Sequence, residues 1–347
     1  MPAPVVLALD AMSGDFGHVP MVAAALAALR EFPQLELVLV GDPALLAAST
    51  RAHGSARMQI QAATQTVAMS DTPGAALRHK RDSSMRVAID LVGQGRASAA
   101  VSAGNTGALM SIARHVLKTL PGIDRPAFVS MLPSIHGRVD VLDLGANAEC
   151  TPEQLCEFAI MGSALATAVR GIERPRIALM NIGEEATKGN PTIRRAAELI
   201  EQLGLNYVGY VEGDGPFLAP VDVVVCDGFV GNIALKAGEG VAKLMLHVLR
   251  DECLRGPLSR LSALAARPIF RALARRMDPR IYNGASLIGL RHPVIKAHGA
   301  SDAIALGWAI RMAVEELERQ VPARIAALLQ GRAPRSHRAR PPERMPI

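Results

Sequence analysis

Three features that the 347-residue chain lacks, or has little of, narrow its functional class. Aromatic residues make up only 3% of it, which argues against a protein that binds nucleic acid mainly by stacking bases on aromatic rings. The longest plain apolar run, Met21 to Leu29, is too short to span a bilayer. The N-terminus has no basic segment and enters a strand directly, so we expect no signal peptide.

The four cysteines form no CxxC pair, and no group of His, Cys and carboxylate residues has the spacing of a structural zinc site. We therefore expect reduced thiols, a cytoplasmic protein and neither metal nor cofactor. The familiar nucleotide and hydrolase motifs are also missing. No GxGxxG follows the first strand, no GxxxxGK precedes a Ser or Thr, and no GxSxG occurs.

The net charge of +6 is concentrated in two segments. Residues 331–347 contain five arginines and one glutamate, and residues 250–280 contain eight arginines and three acids. The rest of the chain is net acidic. This distribution argues against a general nucleic-acid surface and favours local contact with an acidic partner or an anionic membrane.

Short β-branched apolar runs alternate with helical patterns along most of the chain, as in Val5 to Leu9, Leu35 to Val40 and Val221 to Cys226. This alternation predicts an α/β fold with a doubly wound, mostly parallel sheet and helices on both faces. We expect one catalytic domain over 1–330, with a helical excursion at 240–280 that faces a dimer partner or a membrane. A basic, disordered tail is expected at 331–347.

Polar turns rich in Gly, Asn and Asp follow five of the predicted strands. Because the carboxyl ends of parallel strands share one edge of a sheet, we expect these turns to form one deep ligand site. The five turns are Asp10 to Asp15, Ser102 to Gly107, Asp143 to Asn147, Asn181 to Asn190 and Asp227 to Asn232.

The last of these turns lies between a buried strand and a helix. A Gly-rich turn that opens a helix points several backbone N–H groups at one place, which suits an anion. Asp227 and Asn232 would orient the ligand, and Lys236 would balance its charge. The alternative is that Gly228 and Gly231 only make the turn and that Lys236 is solvated.

Cationic candidates for the site are spread along the sequence. They indicate a phosphate-like anionic ligand, and the residues alone lead no further than a cytoplasmic α/β protein that binds one. These candidates are Lys80, Arg81, Lys188, Lys236 and His298.

Seven long motifs resemble the acyl-carrier-protein-dependent phosphate acyltransferases of bacterial phospholipid synthesis (PlsX), in family order over about residues 4 to 320. Ser13 stands where that family commonly has Gly, and Glu149 stands where Asp is usual. The motifs are LALDAMSGD (7–15), RHKRDSSMRVAIDLV (78–92), VSAGNTGALM (101–110), LDLGANAEC (142–150), MNIGEEATKGN (180–190), VVVCDGFVGNIALK (223–236) and HGASDA (298–303).

The resemblance implies a homodimer with a fold like those of phosphotransacetylases and isocitrate or isopropylmalate dehydrogenases. It implies that inorganic phosphate and acyl–acyl carrier protein give acyl phosphate and free carrier. The product would pass to an acyl-phosphate glycerol-3-phosphate acyltransferase in the membrane, for phosphatidic acid and phospholipid synthesis. The enzyme would work in the cytoplasm, at the inner face of the cell membrane.

Roles for single residues follow from the same resemblance. Lys188 and Lys236 would hold phosphate, and Asn147, Asn181 and Asn232 would orient the thioester or its oxyanion. Three acids, Asp10, Asp15 and Asp227, would fix loops and lysines. The other residues expected to line the site are Gly14, Lys80, Ser84, Gly104, Asn105, Thr106, Gly107, Gly183, Gly228, Gly231 and His298.

The segment 258–277 alternates apolar residues with arginines. It fits a dimer helix with a solvated basic face. It also fits a helix lying on an anionic membrane, a use favoured by the peripheral membrane association of the family. The side chains expected to enter the membrane are Leu261, Leu264, Ile269, Phe270 and Leu273.

Three other functions remain open at this stage. One is a phosphotransacetylase-like enzyme that uses acyl–coenzyme A. Another is an NAD-dependent dehydrogenase of the same fold, although the sequence offers no metal-binding carboxylate cluster for it. The last is a non-catalytic scaffold for lipid synthesis at the membrane, which would not need five polar turns.

Overall fold

A computed structural model describes residues 5–51, 55–276, 278–282 and 284–330, so the basic tail lies outside the described residues. The strands are β1 (Val5–Asp10), β2 (Leu35–Gly41), β3 (Met58–Ala62), β4 (Ala99–Ser102), β5 (Ala127–Ser134), β6 (Gly137–Leu142), β7 (Ile177–Met180), β8 (Tyr207–Val211), β9 (Val223–Val225), β10 (Ala285–Ile288) and β11 (Val294–Lys296).

The helices connect these strands, and a short 3-10 turn occupies Pro279–Tyr282. They are α1 (His18–Glu31), α2 (Pro43–Thr50), α3 (Pro73–His79), α4 (Ser84–Gly93), α5 (Thr106–Leu117), α6 (Pro152–Arg170), α7 (Pro191–Glu201), α8 (Gly215–Leu218), α9 (Gly228–Leu254), α10 (Pro257–Ala265), α11 (Arg267–Arg276), α12 (Ala303–Glu318) and α13 (Val321–Gln330).

All these described strands join one sheet in the order β3-β2-β1-β4-β11-β10-β5-β6-β9-β7-β8. Its two ends are parallel: β3, β2, β1, β4 and β11 run one way, and β6, β9, β7 and β8 run together at the other end. In the middle, β10 and β5 are antiparallel to their neighbours. The predicted mostly parallel sheet is confirmed.

The hairpin of β5 and β6 overturns one expectation. Because β6 runs back beside β5, β6, β9 and β7 point opposite to β1, β4 and β11. The five polar turns therefore do not share one edge of the sheet. The turns after β1 and β4 lie at what we call the first edge, and those after β6, β9 and β7 lie at the second edge.

Helices cover both faces of the sheet, as predicted. Alternate residues of β1 show this, because Ala8 packs in a core with α4 and α5 while Leu7 and Leu9 pack in another with α1 and α12. At the other end of the sheet, Leu179 and Val225 pack against α6, α7 and α13. These cores fix where each strand ends, and so where each polar turn begins.

Helix α9 is a single helix of 27 residues. Its N-cap is Asp227, whose Oδ1 accepts from the Val230 N–H at 2.8 Å. One turn later, Gly231 packs so closely on the Asp143 backbone that a Cβ would overlap the Asp143 carbonyl oxygen. The helix can therefore begin against the second edge only because residue 231 is Gly.

Within residues 240–280, the segment of the predicted helical excursion, the structure has the outer part of α9 with α10 and α11. The strands β10 and β11 form an antiparallel pair at the centre of the sheet. Of the five residues expected in the membrane, Phe270 is half-buried and the others, Leu261, Leu264, Ile269 and Leu273, are exposed. None of the helices among the described residues has the length and apolarity needed to cross a bilayer.

Candidate functional site

At the first edge, a buried carboxylate organises the turns after β1 and β4. Asp10 is fully buried, and its Oδ2 accepts a 2.6 Å hydrogen bond from the Ser102 hydroxyl. Burial raises the pKa of Asp10, and the hydroxyls of Ser102, Ser84 and Ser13 oppose that rise. The Ser102 oxygen also accepts from the Gly104 N–H at 3.1 Å. One network of hydroxyls thus ties both turns together.

Ser13 also joins this network. Its hydroxyl accepts from the Ala103 N–H at 3.2 Å and lies 3.3 Å from the Ser102 oxygen. The next residue, Gly14, has φ +93°, a conformation that L side chains rarely adopt. The chain then turns so that the Asp15 N–H donates to the Gly299 carbonyl at 2.8 Å, which joins this turn to the segment after β11.

Two basic side chains lie beside these turns, the predicted His298 and Lys296, which was not predicted. Lys296, the last residue of β11, is only 9% exposed, and its ammonium donates to the Ala297 carbonyl. Burial lowers the pKa of Lys296 to about 8, while the carboxylates of Asp15 and Asp10 oppose the shift. His298 is exposed, and its pKa is lowered by partial desolvation and then by the charges of Lys236 and Lys296.

Helix α9 brings Lys236 to this cluster. Lys236 is exposed and forms an ion pair with Glu239 at 2.9 Å, and its charge acts on Lys296 and His298. Asn232 precedes it by one helical turn, so both side chains lie on the same side of the helix. Because Asn232 packs beside Gly145 at the second edge, α9 connects the turns of the two edges.

Several predicted residues at the first edge hold the backbone in place. Asn105 caps α5 through a 3.0 Å bond from the Ala108 N–H, and its amide donates to the Asp71 carbonyl at 3.0 Å. Lys80 pairs with the Asp71 carboxylate at 2.5 Å. The remaining predicted positions, Ser84, Thr106 and Gly107, lie at the starts of α4 and α5.

At the second edge, the buried carboxylate of Asp143 accepts five hydrogen bonds. Its Oδ1 accepts from the backbone N–H groups of Phe128, Gly145 and Ala146, at 2.9 to 3.2 Å. Its Oδ2 accepts from both the backbone and the side-chain N–H of Asn147, at 2.7 and 2.9 Å. Burial raises the pKa of Asp143, and these donors oppose the rise. Asp143 therefore fixes the turn 143–147.

The other predicted residues of the second edge surround this turn. Gly228, the first residue of α9, donates its N–H to the Asn147 carbonyl at 2.7 Å. Among the described residues, the buried Asn147 Oδ1 and Asn181 Nδ2 have no hydrogen-bond partner. Lys188 is exposed in the turn after β7, where its side chain packs beside Gly183. Lys188 thus belongs to the second edge and Lys236 reaches the first.

Metal binding has no candidate in the part of the chain that the structure describes, because it contains no group of three His, Cys, Asp or Glu residues arranged to hold an ion. The two thiols nearest the second edge are not activated. Burial raises the pKa of Cys150 to about 12, and that of Cys226 also rises. The arrangement offers cations, hydroxyls and backbone N–H groups, which are the groups that bind an oxyanion.

Comparison with known proteins assigns the sequence to a family. A family model described as fatty acid synthesis protein matches residues 5–324. The phosphate acyltransferase of Alkalilimnicola ehrlichii is 54% identical over 329 residues, which are 94% of this chain and 96% of that protein. The chain belongs to the phosphate acyltransferase family. It is therefore an acyltransferase.

A second relative supports the same family, and solved structures show the fold. The phosphate acyltransferase of Halorhodospira halophila is 52% identical, with 95% of this chain and 97% of that protein covered. A phosphotransacetylase from Streptococcus pyogenes superposes with a TM-score of 0.61 at 19% identity, over 92% of this chain and 94% of that one. The EutD phosphotransacetylase of Staphylococcus aureus gives 0.58 at 16% identity, with 92% and 94% covered. The fold is phosphotransacetylase-like.

Sequence reasoning missed Lys296, Ser102 and Ser13 as individual site residues. A lysine within the apolar run Val294 to Ala297 was the available signal, because a charge in a short buried strand is rare without a partner. The two serines carried no comparable signal. Their importance depends on contacts with residues about 90 positions away in the sequence.

Proposed function

We propose that the protein transfers an acyl group from acylated acyl carrier protein to inorganic phosphate, releasing acyl phosphate and free carrier. The observation that carries the proposal is the convergence of Lys236, Lys296 and His298 on the hydroxyl-rich turns of the first edge. Family membership supports the coarser statement, a phosphate acyltransferase.

The chemistry needs no enzyme nucleophile. Monohydrogen phosphate is already nucleophilic at neutral pH, and its oxygen attacks the thioester carbonyl. The C–S bond then breaks, an acyl–O–phosphate bond forms, and the phosphate proton ends on the carrier thiol. The protein must hold the two reactants together and stabilise the tetrahedral oxyanion. The raised pKa of the Cys150 and Cys226 thiols is consistent with a mechanism that uses no cysteine thiolate.

Residues of both edges would share this work along α9. Lys236 holds phosphate at the first edge, together with the backbone of 104–107. Asn232, one turn earlier on α9, donates to the developing oxyanion. Lys188 supplies a second positive charge from the turn after β7, and Asn147 and Asn181 orient the thioester arm. The buried polar atoms of these two asparagines that lack partners are suited to receive it.

The acyl donor separates the proposal from its nearest alternative, an enzyme that uses acyl–coenzyme A. The observation that favours an acidic carrier protein is the basic surface of α10 and α11, where Arg260, Arg267, Arg271 and Arg275 alternate with apolar residues. An acidic protein partner is attracted by such a surface. The fold allows either donor, because the phosphotransacetylase neighbours share it.

The test is a comparison of two donors with inorganic phosphate. We expect acyl phosphate from palmitoyl–acyl carrier protein and little or none from palmitoyl–coenzyme A. Product from coenzyme A alone would assign the protein to the alternative. Absence of product from both, with folded protein, would contradict the proposed reaction and favour a scaffold at the membrane.

We also propose a homodimer built on the helical excursion. The outer part of α9 exposes a series of apolar side chains that one chain leaves uncovered. A second copy of the same helices would bury them, in an isologous arrangement. These side chains are Val241, Leu244, Met245, Val248 and Leu254.

The tip of the excursion would contact the cytoplasmic membrane. Helix α11 carries Ile269 and Leu273 among arginines, the pattern of a helix that lies at an anionic lipid surface. Acyl phosphate would then be released beside a membrane glycerol-3-phosphate acyltransferase that consumes it. We expect Arg271→Glu with Arg275→Glu to weaken binding to anionic liposomes, measured by flotation, by about 30-fold or more, at roughly 1 kcal/mol per arginine. Unchanged flotation would contradict this contact.

A further inference from the structure

We infer that Lys296 binds the substrate phosphate directly and forms the buried end of the anion site, whose outer end is Lys236 and His298. This inference rests on the proposed function, because it assigns a further residue to the same site. The argument depends on the burial of Lys296, its partners and the groups around it.

Lys296 is a buried cation whose charge is not balanced by a direct partner. It is 9% exposed, and its ammonium donates to the Ala297 carbonyl. Among the described residues it makes no ion pair, although Asp10 and Asp15 are near enough to act on it electrostatically. The buried Asp140 differs, because it forms an ion pair with Arg170 at 3.3 Å. A cation held in this way is stabilised when an anion binds beside it.

The surroundings of Lys296 suit a phosphate group. The strand pairing places Lys296 opposite Ser102 at the end of β4. Ser102 belongs to the hydroxyl network of Asp10 and Ser13, which also receives the Gly104 N–H. The Ser102 proton and the Gly104 N–H are used within this network, so the donors left for phosphate oxygens are the Lys296 ammonium and the Ser13 hydroxyl.

Gly104 packs closely beside this network, and a side chain at that position would require Met85 to move. A Cβ at Gly104 would come within 2.5 Å of the Met85 methyl and 3.1 Å of the Ser13 Cβ. In this network Asp10 is a positioning residue, because it orients Ser102 from a fully buried position. The ligand would meet Lys296 and the hydroxyls, and the Asp10 carboxylate would lie behind them.

The charges that face Lys296 give the site a pH dependence. Asp10 and the turn with Asp15 follow β1, Lys236 comes from α9, and His298 lies two residues further along the chain. Without ligand the pKa of Lys296 is about 8, because burial disfavours the ammonium. A bound phosphate favours the ammonium, so binding above this pH must take up a proton. Phosphate affinity should therefore fall as the pH rises above about 8.

Titration calorimetry with inorganic phosphate alone tests the inference in three variants. Lys296→Met should weaken phosphate binding by about 30-fold or more, the loss of a charge-assisted hydrogen bond at roughly 2 kcal/mol. Lys296→Arg should retain most of the affinity, and it should not lose affinity between pH 8 and pH 9.5, because a guanidinium stays charged. Lys118→Met, at an exposed lysine beyond α5, is the matched control and should bind like the wild type.

Two results would overturn the inference. The first is a folded Lys296→Met variant that binds phosphate as tightly as the wild type. The second is a Lys296→Arg variant with the same loss of affinity above pH 8 as the wild type. Circular dichroism confirms the fold of each variant, and the arginine variant keeps the test valid if the methionine variant does not fold.

The experiment also separates this inference from the proposed function, because calorimetry uses no acyl donor. Phosphate binding that depends on Lys296, in a protein that makes no acyl phosphate, would support the site and reject the reaction. Acyl phosphate formation with an unchanged KM for phosphate in Lys296→Met would support the reaction and reject the role of Lys296.

Discussion

The buried Asp143 carboxylate at the second edge and the buried Lys296 ammonium at the first edge differ in how many hydrogen bonds they make. At the second edge, the Asp143 carboxylate accepts five hydrogen bonds from its own and neighbouring turns. At the first edge, the Lys296 ammonium donates to one carbonyl, that of Ala297. A saturated buried charge belongs to the fold, whereas a poorly satisfied one is available to a ligand.

This difference separates the predicted residues by role. Asp143, Asn105 and Asp227 use their side chains to cap turns and helices. Lys296 lies near the carboxylates of Asp15 and Asp10, and Lys236 is near enough for its charge to act on Lys296. We therefore expect substitutions of the first kind to change stability and substitutions of the second kind to change phosphate binding and turnover.

The largest expected effect is on turnover. Lys188→Ala should reduce turnover by at least about 100-fold with the fold intact, because one positive charge at the reacting groups is lost. Lys236→Ala should act mainly on the KM for phosphate, because its charge belongs to the first edge. Steady-state kinetics, with the concentrations of both substrates varied, tests both variants. Unchanged kinetics in either variant would remove that lysine from the site.

Replacing Asp143 and replacing Lys296 should change the free energy of unfolding in opposite directions. Asp143→Ala leaves five N–H groups without their acceptor and should lower the free energy of unfolding by about 3 kcal/mol. Lys296→Met removes a poorly satisfied charge and, in phosphate-free buffer at pH 7, should raise that free energy by roughly 2 kcal/mol. Urea unfolding measures both. An equal decrease in the free energy of unfolding of both variants would contradict the difference drawn here between Asp143 and Lys296.

The sign for Lys296 follows from its pKa of about 8 in the folded protein, below the value of about 10.5 in the unfolded chain. The destabilisation is fully present below pH 8 and disappears as the pH rises toward 10.5, because the unfolded chain binds more protons in that interval. The gain from Lys296→Met should therefore shrink in the same interval.

Another buried acid, Glu316, belongs to neither turn network and gives a test by pH. Glu316 on α12 lines a cavity with Asp140 and Ser286, and burial raises its pKa to about 7 from 4.5. The folded protein binds more protons between these values, so stability falls as the pH rises from about 4.5 to 7. Glu316→Gln should raise the free energy of unfolding by about 1 kcal/mol at pH 8 and by much less at pH 4.5. Equal effects at both pH values would contradict the assignment.

The fold class was predictable from sequence, but the edge of the sheet at which each turn lies was not predicted correctly. The apolar runs at 127–132 and 138–142 predict the strands β5 and β6, but apolarity does not show that these two strands run antiparallel. The connection between them, Ile135-His136, is only two residues long, and parallel strands need a dozen or more. That length was a usable signal, and it would have placed the turns of Asp10 and Asp143 at opposite edges.

The local structure of the candidate site could be predicted where it depends on neighbouring residues. Contacts between residues far apart in the sequence could not. The Gly-rich turn at 227–232 marked the start of α9 correctly, because N-cap and glycine signals act over a few residues. The approach of Lys236 to Lys296 depends on how α9 is placed against the sheet. No local sequence pattern predicts that placement.

The most direct test of the account is a crystal structure of the protein with inorganic phosphate or its heavy analogue tungstate. The account predicts an anion at the first edge, within about 3 Å of the Lys296 ammonium and beside the turn 102–107. An anion bound only at the turn 143–147 and Lys188, with none near Lys296, would contradict it.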